Sequence, residues 1–206
     1  MFTSIAQSLL ARNAQAHEEF NSDRRGFLRH GVSLGMMAAL GASILPGTAM
    51  AQMANPAVLG GREVKLFNAH TGEKFQGTYW ANGRYLPDAF AGIKGVMRDH
   101  RSGETFPIDP RLMDILYVLQ NKLDNYNGFK VLSGYRSPKS NALLRRNSEG
   151  VAKNSLHMTG QAIDISLPGT QLSGLHKMAL AVHSGGVGYY PKTGFVHVDT
   201  GRVRTW

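Results

Sequence analysis

The chain has no cysteine at all, which removes disulfides, thiolate metal ligands and any cysteine nucleophile at once. Cysteine-dependent transpeptidation of a cell wall is therefore excluded. Charged residues are also sparse, at 18% of 206, but with 42% apolar residues this low charge argues against general disorder and for one good-sized core. Long apolar runs are missing too. The apolar run from Gly31 to Leu45 is Gly-rich and short of the roughly twenty residues needed to span a bilayer, so no stable membrane span is expected.

What stands before that run gives it a different meaning. Arg24-Arg25 with Phe27 and Leu28 leads into the apolar segment, which ends at Pro46 and the small-x-small site Ala49-Met50-Ala51. This pattern is a twin-arginine export signal over residues 1–51, with Asp23 where Ser or Thr is usual. The precursor's expected partner is the twin-arginine export machinery, and the expected destination is the periplasm or cell envelope. Residues 52–61, small and Pro-containing, read as a linker, and 62–206 as one domain without internal repeats.

Acidic residues are the scarcer charge, 14 against 23 Lys and Arg, for a net charge of +9. In the cytoplasm such a balance suggests nucleic acid. Here the basic residues are scattered, with no aromatic-interleaved tract, so no nucleic acid is expected. The excess instead steers an exported protein towards an anionic envelope.

Two stretches carry the chemistry. In Ser155-Leu-His157-Met-Thr-Gly160-Gln-Ala-Ile-Asp164-Ile, strand alternation sends Ala162, Asp164 and Ser166 to one face and the isoleucines to the other. In Gly194-Phe-Val-His197-Val-Asp199 the same rule groups Phe195, His197 and Asp199 against the valines. If the strands are neighbours, two imidazoles and a carboxylate converge on a cation, with His157 entering from a turn that Gly160 allows. Closed structural zinc sites usually use several cysteines, whereas three His/Asp/Glu ligands leave a position open for catalysis. Zinc is the expected cofactor, held by His157, Asp164 and His197.

These residues resemble a family. The pattern Ser155-x-His157-x-x-Gly160-x-Ala162-x-Asp164 followed by a strand-borne His197 is similar to the zinc peptidases that include D-alanyl-D-alanine carboxypeptidases, penicillin-insensitive murein endopeptidases and the Hedgehog signalling domain. The subgroup most resembled is that of murein endopeptidase K, through His70-Thr-Gly-Glu73, Arg98-Asp99-His100, Ser133-Gly-Tyr-Arg136-Ser, Gly185-Gly-Val-Gly-Tyr-Tyr190 and Arg204-Thr-Trp206. The resemblance runs from about Val64 to Trp206. It implies the same three zinc ligands, Arg136 beside the polarised carbonyl, and peptidoglycan peptides as substrate. Many relatives carry an acidic general base three residues before the last histidine, where this chain has Gly194. Asp199, two residues beyond His197 and about 7 Å along the same strand face, is the candidate base, or else the carboxylate that orients His197.

The rest of the chain predicts an α+β fold: a central antiparallel sheet with helices on one side and the zinc cleft on the other. Asn82-Gly83 between aromatic runs signals a hairpin. Asp109-Pro110 opens a helix carrying Leu112, Ile115, Leu116 and Leu119. Arg98 to Arg101 reads as a charged loop flanking the cleft or as a solvated turn, and His70 as structural. Two functions fit: a zinc-dependent murein hydrolase cutting stem peptides or cross-links, expected to be an endopeptidase, and a non-catalytic zinc-containing module that binds wall peptides.

Overall fold

The computed structural model describes residues 60–148 and 150–206. The expected leader, residues 1–51, and most of the linker 52–61 lie outside the described residues.

The strands are β1 (Arg62–Asn68), β2 (Lys74–Ala81), β3 (Arg84–Tyr85), β4 (Phe129–Ser133), β5 (Ala162–Ser166), β6 (Gly186–Tyr190), β7 (Phe195–Asp199) and β8 (Arg204–Thr205). The helices are α1 (Pro87–Val96), α2 (Pro110–Lys122), α3 (Pro138–Asn147) and α4 (Leu172–Val182). The expected α+β architecture is present, on a single sheet of order β3-β2-β1-β4-β5-β7-β6-β8. That sheet is mixed. β1 pairs with β4, and β6 with β8, in parallel. A hairpin and two helices separate β1 from β4, ample length for the crossover that parallel pairing requires.

Local chemistry explains the elements that the sequence signals. Asn82 and Gly83 both adopt positive φ, 52° and 79°, the conformation of a two-residue hairpin turn with matching twist. Asp109 caps α2 by accepting a hydrogen bond from the Arg111 backbone N–H, and Pro110 occupies the first helical position, where no N–H is needed.

The apolar face of the sheet is covered by α2 and α4. Ile163, Ile165, Val196 and Val198 join Leu112, Leu116 and Leu119 of α2 and Leu175, Ala179 and Val182 of α4 in one buried core. Ile93 and Val96 of α1 belong to it as well. The buried side chains of α3 are instead Ser140 and Asn141, so this helix borders the polar face. Asp114 interrupts the apolar stripe of α2 and is buried, where it accepts hydrogen bonds from Arg62, Tyr79 and Tyr85. A carboxylate needs such partners to stay buried, and these tie α2 to β1, β2 and β3.

The register places the polar row. Ser133 of β4 lies opposite Asp164 of β5, Asp164 opposite His197 of β7, and His197 opposite Gly188 of β6. Directly paired residues share a face, so this row crosses four adjacent strands on the side away from α2 and α4.

Candidate metal centre

His157 reaches the row from a 3-10 turn, Leu156–Thr159, capped by the Ser155 hydroxyl. The turn ends at Gly160 with φ 66°, and a Cβ there would collide with the Pro107 carbonyl oxygen. Only glycine fits both the left-handed backbone and the contact. The Gly160 carbonyl also accepts from the Asp109 N–H at 2.9 Å, so the turn is fastened to the start of α2.

Three atoms converge. His157 Nε2 lies 3.3 Å from His197 Nδ1 and 3.3 Å from Asp164 Oδ1, while His197 Nδ1 lies 2.8 Å from the same oxygen. Among the described residues, these three form the group able to hold a metal ion, and all are buried. Ligand atoms on a tetrahedral zinc with bonds of about 2.0–2.1 Å stand roughly 3.3 Å apart, so the spacing fits that ion.

The outer nitrogens decide what the inner ones offer. His157 Nδ1 donates to the Gly134 carbonyl at 2.7 Å, and His197 Nε2 donates to Asp199 Oδ2 at 3.0 Å. With each neutral ring's single proton committed outward, two nitrogen lone pairs and a carboxylate oxygen face one another. Three acceptors at that range repel unless a cation lies between them.

Around this group the charges are arranged by burial and by partners. Burial pushes the Asp164 carboxyl up, but the facing His157 and His197 outweigh it and hold Asp164 below the ordinary carboxylate range. Burial likewise opposes charge on His197, and the neighbouring Asp164 and Asp199 carboxylates outweigh it, raising its pKa. Asp199 is fully buried. Its Oδ1 accepts from the N–H groups of Gly186 and Gly201 and from Arg204, and its Oδ2 from Arg204 at 2.6 Å and from His197. Against burial, His197, Arg204 and those amides hold its pKa down.

Arg136 follows β4 and brings its NH2 within 3.8 Å of Asp164 Oδ2. Ser133 Oγ accepts from it at 3.2 Å and Asn141 Oδ1 at 3.4 Å, while its buried Nε has no partner among the described residues. Burial, the largest influence, pulls its pKa below the ordinary value against the attraction of Asp164.

The expected site residues thus gather in one place: His157, Asp164 and His197 at the centre, Arg136 on one flank, and Asp199 behind His197. Gly194 sits in the β6–β7 turn with φ 76° and brings no side chain. The loop 98–101 is more than a solvated turn, because Asp99 is buried and accepts from the N–H groups of Ser137 and Arg101. His70 bonds the Leu132 carbonyl and stacks on His100 at 3.9 Å. Burial, then the charges of Arg101 and His70, hold the His100 pKa down at about 4.

Arg204 and Asn141 carry no local signal in the sequence for the parts they play here. For Arg204 the available hint was its place in the Arg204-Thr-Trp206 motif, because a pairing with Asp199 five residues away depends on the intervening turn.

Known proteins resemble this chain over most of its length. Residues 57–206 match a family model described as peptidoglycan L,D-endopeptidase MepK. The Escherichia coli K12 protein of that name is 41% identical over 189 residues, which span 92% of this chain and 100% of the relative. A probable peptidoglycan L,D-endopeptidase MepK of Haemophilus influenzae is 40% identical over 179 residues, 86% of this chain and 94% of the relative.

Proposed function

The chain belongs to the peptidoglycan L,D-endopeptidase MepK family, and from that membership we propose that it cuts peptidoglycan cross-links at a bond joining an L-configured to a D-configured centre. It is a metallopeptidase that acts as a murein endopeptidase. The observation that carries the reading is the convergence of His157 Nε2, His197 Nδ1 and Asp164 Oδ1 with the other ring nitrogens committed as donors.

We assign zinc to these three ligands. Bound there, zinc supplies Lewis-acid polarisation of the scissile carbonyl and lowers the pKa of water towards neutrality. Asp164 contributes a negative charge that offsets the ion's. The Gly134 carbonyl and the Asp199 carboxylate fix the tautomer of each imidazole and hold its lone pair on the site. Arg136, held by Ser133 and Asn141 with its Nε unsatisfied, is the donor for the carbonyl oxygen as negative charge develops. Asp199, enclosed by five contacts, has the surroundings of a positioning carboxylate and not of a base that exchanges protons with solvent. We also propose that residues 1–51 are a twin-arginine leader, 52–61 a linker and 62–206 the peptidase domain, with an envelope location for the exported protein.

Digestion of purified peptidoglycan, followed by mass spectrometry of the released muropeptides, tests the function. Cross-linked species should be opened at L,D bonds, chelation should stop the release, and added zinc should restore it. Binding to the wall without any release would make the protein a recognition module, and cleavage confined to D,D bonds would overturn the bond assignment.

A further inference from the structure

Strand β6 turns Gly186, Gly188 and Tyr190 towards the metal-binding row, since Gly188 pairs with His197 and Tyr190 with Phe195. The two glycines leave room that other parts of the chain fill. Trp206 lies over Gly188, where a Cβ would come within 2.8 Å of its indole. The same indole stands 5.2 Å from the His197 ring, under the Arg204 guanidinium at 4.9 Å. Beside it, Tyr190 stacks on Phe195 with centroids 4.5 Å apart. Trp206 is half-exposed and Tyr190 and Phe195 are partly so, giving an aromatic shelf at the rim of the site.

One hydrogen bond gives that shelf a direction. Trp206 Nε1 and Tyr190 Oη are 2.7 Å apart. An indole N–H can only donate, so the tyrosine oxygen accepts and its own proton is turned away from Trp206. Among the described residues nothing receives that proton. A phenol fixed on two sides, by the Trp206 bond and the Phe195 stack, therefore presents an unused donor at the rim of the metal centre.

We propose that Tyr190 donates a hydrogen bond from its phenol to the reacting peptide oxygen, acting with Arg136 as charge develops there, and that Trp206 is the positioning residue which aims it. Nothing in the comparisons assigns either residue this part. The inference rests on the reading of His157, Asp164 and His197 as the hydrolytic centre. A donor fixed before the reaction needs no reorganisation when charge appears, which is why removing one such donor costs about 10²–10³-fold in turnover in well-studied cases.

Steady-state kinetics on a soluble cross-linked muropeptide test the proposal. Tyr190→Phe keeps the ring on Phe195 and deletes the hydroxyl alone, so zinc content and melting temperature should stay at wild-type values. Its kcat should fall by about 10²-fold or more with KM little changed. Trp206→Phe keeps an aromatic ring over Gly188 but removes the indole N–H, and it should lower kcat by a smaller factor. Because that effect runs through Tyr190, the double variant should be no slower than Tyr190→Phe. An unchanged kcat in folded, zinc-loaded Tyr190→Phe, whatever its KM, overturns the proposal, as does full additivity in the double variant. His197→Ala in the same assay separates the two levels: if it turns over normally, the reading of the metal centre itself has failed.

Discussion

The side of each imidazole facing away from the row decides what the ring does there. The Gly134 carbonyl accepts a hydrogen bond from His157 Nδ1 and Asp199 accepts one from His197 Nε2, so both lone pairs are turned onto the centre that Asp164 shares. Asp199 is therefore the residue whose role is most sharply testable. Its carboxylate is held below its ordinary pKa, against burial, by His197, Arg204 and two backbone amides, and no face of it is open to water. Asp199→Asn should weaken zinc affinity by about 10–100-fold, with turnover recovering once zinc is saturating. A loss of about 10²–10⁴-fold that persists at saturating zinc would instead make Asp199 the proton acceptor. The sequence showed that Asp199 shares a face with His197. It did not show the enclosure, which comes from Arg204 and from amides at Gly186 and Gly201 on separate segments.

Elements were legible where their signals are local. Asn82-Gly83 turns a hairpin, Asp109-Pro110 starts a helix, and the alternation in Ala162–Ser166 and Phe195–Asp199 sorts ligands from core. Each depends on a few consecutive residues and their backbone preferences. Strand partnership depends on the whole chain, and there local reasoning was incomplete: the β1–β4 and β6–β8 pairings are parallel, and Ser133, Asp164, His197 and Gly188 form one row only because four strands take that order. Asp114 is a second such case. Its position on α2 reads as a break in an apolar stripe, and its partners Arg62, Tyr79 and Tyr85 come from 29 to 52 residues away. The helix α3 is used at its first turns, where Asn141 accepts from Arg136 and donates to the Ala152 carbonyl.

For the whole molecule, composition and compartment go together. A chain with net charge +9 and no cysteine is suited to an anionic wall and needs no oxidative folding to reach it. Among the described residues no helix is long and apolar enough to cross a membrane. Export is proposed to depend on Arg24-Arg25, read as a pair by the export receptor, so replacing them with Lys-Lys should leave the precursor in the cytoplasm on fractionation. Normal delivery of that variant would assign the leader to a general secretory route.

We assign the peptidase activity of this fold to one metal ion held by His157, Asp164 and His197. Metal analysis of the purified protein and of His157→Ala, Asp164→Ala and His197→Ala tests it most directly, with circular dichroism to establish that each variant is folded. The wild type should carry one zinc per chain, and each folded variant should lose it. Stoichiometric zinc retained by all three variants would contradict the claim and move the metal elsewhere.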